Sequence, residues 1–205
     1  MSCIIIEGDQ RSAEWFKNRL GVLTSSSCEL ILTPAQRKTF LTKILSEMLT
    51  GEQEPLPYSP HIEHGIKFED EARRFYEIQN GKQVREVSFI FKDEDKRVGT
   101  SPDGLIGDDG MLEIKCPSSK VHLSYIVDDE VPKKYFLQMQ HQMYVTGRKW
   151  VDFYSFDPRL PIEVRVYQKR VYKCEETQNK IDISSKTIIK SIDEFLASHN
   201  ITWSK

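Results

Sequence analysis

Apolar residues recur at helical spacing in five stretches of the chain, and each stretch is bounded by residues that start or stop helices. The first lies between an N-cap serine, Ser12, and Gly21, and is short. The stretches predicted as helices are 12–21, 34–51, 61–80, 132–147 and 175–198. Between the second and third, the three prolines of Glu52 to Pro60 predict a loop.

Alternation of apolar and polar residues predicts strands in the remaining stretches. These are 84–91, 97–106, 111–116, 150–156 and 162–171, and the run Gly107 to Gly110 predicts a hairpin within a small antiparallel meander. Neither an internal repeat nor a long linker divides the 205 residues. The pattern therefore predicts an α/β fold for 1–205, a single domain with a central mixed β-sheet flanked by helices, in which 174–205 form a C-terminal helical segment.

Charge and cysteine usage narrow the classes of protein. The 29 basic and 31 acidic residues give a net charge of −2, so the chain lacks the positive field of a passive nucleic-acid coat, and any phosphate-binding surface must be local. The four cysteines form no CxxC pair, which argues against zinc-ribbon and iron–sulfur sites and predicts reduced, mostly buried thiols. The run Cys3 to Ile6 is too short for a signal peptide or a membrane span, so we expect a cytoplasmic protein.

The candidate chemistry lies on the hairpin. Glu113 and Lys115 point to one face of a predicted strand, with Ile114 on the other. Asp103, in a Pro-Asp-Gly turn ten residues earlier, would bring a second carboxylate beside Glu113. Two carboxylates and a lysine suit a divalent-metal phosphodiesterase site, because carboxylates hold Mg²⁺ or Mn²⁺ and lysine can position or deprotonate water. Taken alone, Glu-x-Lys on a strand is more typical of a cross-strand ion pair.

Five ordered blocks make this spacing more specific. They are Arg19–Ser26, Gly65–Arg73, Ser101–Gly104, Leu112–Pro117 and Gln138–Thr146, within about 14–158. Together they resemble phage lambda exonuclease and its YqaJ-type viral recombinase relatives, members of the PD-(D/E)xK nuclease superfamily. The resemblance implies a restriction-endonuclease-like core.

The resemblance also implies residue roles. It places Asp103, Glu113, Glu69 and the backbone carbonyl of Ile114 as ligands of two Mg²⁺ ions (Mn²⁺ as substitute), Lys115 as the catalytic lysine, and Gln138 as support for the attacking water. It places Arg19, Ser26 and Ser101 in a pocket for a terminal 5′-phosphate, which suits a guanidinium and two hydroxyls. Where the family has a DNA-contacting arginine after Pro117, this chain offers Lys120 as a weaker substitute.

Several of these side chains also have a purely structural interpretation. Glu69 could pair with Arg73 one turn later on a solvated helix face. Arg19 could complement a helix dipole, and Ser26 could cap a helix. Gln142 is expected only to keep the helical stripe polar.

The resemblance implies a metal-dependent 5′→3′ exonuclease that degrades one strand of linear double-stranded DNA from 5′-phosphorylated ends and leaves 3′ overhangs for recombination. It further implies a homotrimeric ring, a single-strand DNA annealing protein as partner, and a phage or prophage origin. Two alternatives remain open: another PD-(D/E)xK nuclease, such as an endonuclease, and a non-catalytic DNA-end binding module. The intact Asp103, Glu113 and Lys115 argue against the second.

Overall fold

The computed structural model describes residues 3–53, 60–203 and 205. The helices in this part of the chain are α1 Ala13–Arg19, α2 Cys28–Leu32, α3 Arg37–Thr50, α4 Pro60–Asn80, α5 Ser119–Asp128, α6 Lys133–Thr146 and α7 Glu175–Ser198. The strands are β1 Ile4–Ile6, β2 Leu23–Thr24, β3 Phe89–Phe91, β4 Val98–Thr100, β5 Gly104–Ile106, β6 Gly110–Lys115, β7 Trp150–Phe156 and β8 Val166–Tyr172. Single 3₁₀ turns cover Ser25–Ser27, Pro34–Gln36 and Ile162–Val164.

The predicted mixed α/β fold is confirmed, but the strands form two four-stranded sheets instead of one. The first has the order β1-β3-β4-β2, with β2 parallel to β4. The second has the order β5-β6-β7-β8, with β6 parallel to β7 and both outer pairs antiparallel. A backbone bridge between Arg85 and Leu105 links the chain before β3 to the second sheet.

The predicted strand 97–106 is wrong in one respect: it breaks at Ser101–Asp103, between β4 and β5. Here the chain passes from the first sheet to the second, and Pro102 has no N–H to give to a ladder. The break places Ser101 and Asp103 at the crossing between the sheets.

Other boundaries also differ from the prediction. Strand 84–91 shrinks to β3, and the stretch 162–171 begins with a 3₁₀ turn before β8. Strand β1 and helix α5 were not predicted. Residues 54–59 of the predicted loop lie outside the described residues.

Strand β6 lies between two helices and presents a different face to each. Leu112 and Ile114 pack against α4 in a cluster with Ala72 and Tyr76. Met111, on the opposite face, belongs to a larger cluster that joins both sheets to α3, α6 and α7. Glu113 and Lys115 share the face of Met111, so the strand aims both charges toward α6.

The β5–β6 hairpin is confirmed, and its geometry depends on glycine. Gly107 has a φ of +51°, and a Cβ on Gly110 would lie 2.1 Å from the Trp150 ring. All four cysteines are free thiols as predicted; Cys28 and Cys116 are buried, whereas Cys3 and Cys174 are half-buried. In the described residues, no helix has the length and apolar character needed to cross a membrane.

Candidate active site

Glu113 is the most enclosed charged group of the site. Its side chain is 1% exposed and accepts hydrogen bonds from three donors. Gln138 Nε2 lies 2.6 Å from Oε1, Gln142 Nε2 lies 2.5 Å from Oε2, and the Lys115 ammonium also donates to Oε1. A buried carboxylate is tolerated when paired and hydrogen-bonded in this way.

The expectation that Gln142 only keeps the helical stripe polar is therefore wrong. Gln142 was expected to have no part in the site, yet it is fully buried and one of its amide hydrogens is given to Glu113. Gln138 and Gln142 are four residues apart on α6, so they lie on one helix face and reach both carboxylate oxygens. This i, i+4 spacing, opposite a predicted Glu-x-Lys strand, is the signal that could have identified Gln142.

Asp103 stands at the crossing between the sheets and faces the same region. Its Oδ2 accepts the backbone N–H of Ile114 at 2.6 Å, which fixes the carboxylate beside β6. Burial raises the pKa of Asp103 well above its usual value, and the negative charges of Glu113 and Glu69 raise it further. The two predicted carboxylates are thus brought close enough to repel each other.

Lys115 supplies positive charge to both carboxylates: it donates to Glu113, and its charge also acts on Asp103. Burial lowers the pKa of the amine, but the carboxylates of Glu113 and Asp103 outweigh burial and raise it above its ordinary value. The side chain therefore remains an ammonium at neutral pH. In this state it can stabilise and orient negatively charged groups, but it cannot accept a proton.

Glu69 lies on α4 and lines a cleft of about 420 Å³ together with Asp103. Its carboxylate pairs with Arg11 at 2.6 Å and with Arg73 at 3.5 Å, so the i, i+4 ion pair considered from sequence is present. Arg73 also donates through Nε to the backbone carbonyl of Asp103 at 3.3 Å, which ties α4 to the crossing. Sequence analysis did not identify Arg11, which has a φ of +66° and reaches Glu69 from before α1.

The donor set suits a hard divalent cation. Asp103 and Glu113 are neighbouring carboxylates whose repulsion a cation would relieve, and oxygen ligands are what Mg²⁺ prefers. No three His, Cys, Asp or Glu side chains in the described ranges are arranged as a metal-binding group, and the Glu69 carboxylate is paired with Arg11. Asp103 and Glu113, with a backbone carbonyl such as that of Ile114 and water, are therefore the ligands available without rearrangement, and Glu69 would join them on leaving Arg11.

The residues predicted to form a phosphate pocket are linked to one another. Arg19 Nη2 lies 3.4 Å from Ser26 Oγ, and the guanidinium carbon lies 4.3 Å from the centre of the Trp15 ring. Trp15 Nε1 in turn donates to Ser101 Oγ at 2.8 Å. Trp15, missed as a site residue, thus connects Arg19 to Ser101, and its position one turn before Arg19 on α1 is the signal that could have found it.

The surroundings of Arg19 favour an anionic ligand. Burial lowers the pKa of its guanidinium to about 10, so the group remains charged but poorly solvated at neutral pH. Such a charge is stabilised by a bidentate phosphate. Lys120 is exposed in the first turn of α5, and its contact with DNA stays a prediction.

Replacing Asp103 with asparagine is expected to raise the melting temperature of the metal-free protein at about pH 8 by a few degrees. Because the folded-state pKa of Asp103 is raised, its contribution to stability is lost as the pH rises from the ordinary towards the raised value. Asparagine carries no charge and can still accept the Ile114 N–H. The gain should shrink as the pH falls from the raised pKa towards the ordinary value, and it should vanish below the ordinary value, where Asp103 is protonated in both the folded and the unfolded protein.

Thermal unfolding in chelator, recorded over a series of pH values, measures this difference. Asp109→Asn, in the exposed hairpin, is the matched control and should show no comparable pH-dependent gain. An Asp103→Asn protein that is less stable than the parent at every pH would contradict the electrostatic account.

Comparison with known proteins identifies solved structures that share this fold. The chain is 33% identical to an alkaline exonuclease of Laribacter hongkongensis, with a TM-score of 0.86 over 92% of this chain and 96% of that one. A structure of the same enzyme with dAMP matches with a TM-score of 0.85 at 33% identity, over 91% and 95% of the two chains. A phage-related exonuclease of Haemophilus somnus, 14% identical, shares the fold with a TM-score of 0.67 over 87% of this chain and 96% of that one. The fold is therefore restriction-endonuclease-like.

Two curated relatives are uncharacterized proteins. One, from Acanthamoeba polyphaga mimivirus, is 29% identical over 71% of this chain. The other, YqaJ of Bacillus subtilis, is 27% identical over 67% of this chain. The match spans only 28% and 43% of their respective lengths.

The sequence model of the YqaJ-like viral recombinase domain matches residues 14–149. This range contains all five sequence blocks and every predicted site residue, and it ends before residue 158, to which the resemblance was expected to extend. The chain belongs to the YqaJ-like viral recombinase domain family.

Proposed function

We propose that this chain is a metal-dependent exonuclease that degrades one strand of linear double-stranded DNA from its 5′-phosphorylated end, in the 5′→3′ direction. The 3′ single-stranded overhang that remains would serve recombination by strand annealing. The observation that carries the proposal is the buried Glu113, held by Lys115 and Gln138 beside Asp103. The likeness to a protein described as an alkaline exonuclease supports it.

The position of the phosphate pocket relative to the carboxylates supports an exonuclease in particular. Ser101 and Asp103 are two residues apart, so their Cα atoms are at most about 7 Å apart. A 5′-phosphate held near Ser101 would leave the next phosphate of the strand beside Asp103. Cleavage there would release one nucleotide per step, and the related enzyme has been crystallised with a deoxynucleoside monophosphate.

The chain's own residues would divide the chemistry among them. Asp103, Glu113, Glu69 and the Ile114 carbonyl would hold two Mg²⁺ ions, or Mn²⁺ as substitute, which lower the pKa of bound water and neutralise charge on the phosphate. The Lys115 ammonium would stabilise the charge that develops at the scissile phosphate.

Gln138 and Arg19 would act on either side of the reacting centre. The Gln138 amide, whose nitrogen donates to Glu113, would orient the attacking water. Arg19 and Ser26 would bind the terminal phosphate and thereby position the strand, which lowers the entropic cost of reaching the reactive geometry.

A linear duplex labelled on each strand in turn tests the proposal. With Mg²⁺, we expect loss of label from the 5′-phosphorylated strand, much slower loss from a 5′-hydroxyl strand, and no cutting of a closed circle. Chelation should abolish activity, and Mg²⁺ or Mn²⁺ should restore it. Cutting of the circle would indicate an endonuclease, and absence of cutting with either metal would indicate a DNA-end binding module.

The proposed assembly and partners rest on the resemblance to the family. We propose a homotrimeric ring around DNA and a single-strand DNA annealing protein as partner. We further propose that the protein is encoded by a phage or prophage and acts in the cytoplasm of the bacterial host cell. A net charge of −2 requires that Lys and Arg concentrate on the inner wall of such a ring. The sedimentation mass at micromolar concentration distinguishes a trimer from a monomer.

A further inference from the structure

A buried chain of hydrogen bonds runs behind the phosphate pocket. His141 on α6 is fully buried, and its Nδ1 lies 2.9 Å from Ser25 Oγ. Ser25 Oγ donates in turn to Thr100 Oγ1 at 2.8 Å. Three elements, α6, the 3₁₀ turn after β2 and the end of β4, are thereby joined by side chains alone.

The direction of these hydrogen bonds determines which ring nitrogen of His141 carries the hydrogen. The single hydroxyl hydrogen of Ser25 is given to Thr100, so His141 Nδ1 must carry the hydrogen that it shares with Ser25. Nε2 finds no hydrogen-bond partner among the described residues, which suits an unprotonated nitrogen. Burial lowers the pKa of His141 to about 3, in agreement with a neutral ring that donates through Nδ1.

These side-chain hydrogen bonds extend the pairing of β2 with β4 beyond the end of the backbone ladder. Strands β2 and β4 pair in parallel register through Leu23 with Val98 and Thr24 with Gly99. The next residues are Ser25 and Thr100, where the backbone of the first strand turns into a 3₁₀ helix. Their hydroxyl groups hold the two segments together at the point where the ladder ends.

Ser26 and Ser101, the serines of the phosphate pocket, directly follow Ser25 and Thr100 in the sequence. Ser25 is buried and Ser26 is exposed; Thr100 is fully buried and Ser101 is half-buried. In each pair one hydroxyl is fixed in the core and its neighbour is presented to the pocket. The placement of Ser26 and Ser101 therefore depends on the bond between Ser25 and Thr100, which His141 holds.

We propose that His141 is a positioning residue of the 5′-phosphate pocket: by donating from Nδ1 to Ser25, it sets the spacing of Ser26 and Ser101 around the phosphate. This inference rests on the proposed function. His141 lies between Gln138 and Gln142 on α6, which bind Glu113. One helix therefore supports both the carboxylate site and the phosphate pocket.

Two substitutions separate the hydrogen bond from the shape of the side chain. His141→Phe keeps a ring of similar size without a donor, whereas His141→Asn carries an amide donor at the same distance from Cβ as Nδ1. The quantity to measure is the ratio of kcat/KM for 5′-phosphorylated over 5′-hydroxyl duplex ends. We expect the ratio to fall about tenfold in His141→Phe, mainly through KM for the phosphorylated end, and to stay near the parent value in His141→Asn.

Thr100→Val provides a test with little change of shape. It removes the acceptor of the Ser25 hydroxyl, so the ratio should fall as in His141→Phe. The double variant should fall less than the product of the two single effects, because both act through one chain. Tyr144→Phe is the control on the same helix: it removes the bond to Asp182 and should leave the ratio unchanged.

The outcomes separate the two proposals. If the parent protein degrades DNA without preferring 5′-phosphorylated ends, or does not degrade it, the proposed function fails. If the parent shows the preference and either folded His141→Phe or folded Thr100→Val retains it, the role of His141 is overturned while the proposed function stands. Equal loss in His141→Asn and His141→Phe would also overturn it, since the donor would then be irrelevant.

Discussion

Replacing Lys115 with alanine is expected to lower the rate of DNA hydrolysis by at least about 10³-fold while the protein still folds and binds DNA ends. Lys115 is the cation that contacts Glu113, and its charge also acts on Asp103. Without it, the two carboxylates lose the ammonium that offsets their repulsion and that would stabilise negative charge in the transition state. Binding of the terminal phosphate depends on other residues, so it should be retained.

Single-turnover cleavage of a 5′-phosphorylated duplex measures the loss, with circular dichroism and DNA-end binding as checks on the fold. Lys180→Ala is the matched control, because Lys180 pairs with Glu176 on the exposed face of α7. Cleavage by Lys115→Ala at a rate close to that of the control would refute the assignment of Lys115. Lys115→Arg adds a finer test, because it keeps the positive charge but replaces the compact ammonium with a planar guanidinium. If charge is the main contribution, its rate should lie between those of the parent and Lys115→Ala.

The core of the site could be predicted because it depends on local regularities. The two-residue period of a strand places Glu113 and Lys115 on one face whatever the rest of the fold, and the structure has them in contact. The hairpin glycines fix the return of the chain, so Asp103 had to lie near β6. The helix boundaries of α6 and α7 also followed from apolar spacing and capping residues.

The features that sequence analysis missed depend on contacts between distant segments. The break at Ser101–Asp103 arises where the chain changes sheets, and nothing in the local alternation reports a second sheet. Arg11 contacts Glu69 across 58 residues, and Gln142 contacts Glu113 across 29. A polar residue on a helix is more often exposed, so the burial of Gln142 becomes apparent only when α6 is placed over β6.

Helix α4 is held in place by a buried ion pair that is distant from the chemistry. Asp152 on β7 is fully buried and lies directly opposite Arg170 on β8. Arg170 binds its two oxygens at 2.7 and 2.8 Å, and Tyr76 of α4 donates to Oδ2 at 2.7 Å. Tyr76 is two helical turns from Glu69, so this network anchors the helix that carries the third carboxylate.

Asp152→Ala is therefore expected to lower the free energy of unfolding by about 3 kcal/mol, at the lower end of the range for a broken buried ion pair. The lower end applies because Arg170 keeps a third of its side chain in water and can be partly solvated when its partner is lost. The melting temperature should fall by about 6–12 °C. Urea unfolding measures the change, and Glu176→Ala, which breaks an exposed pair on α7, should leave stability nearly unchanged. Equal stability of the two variants would show that Asp152 does not anchor α4.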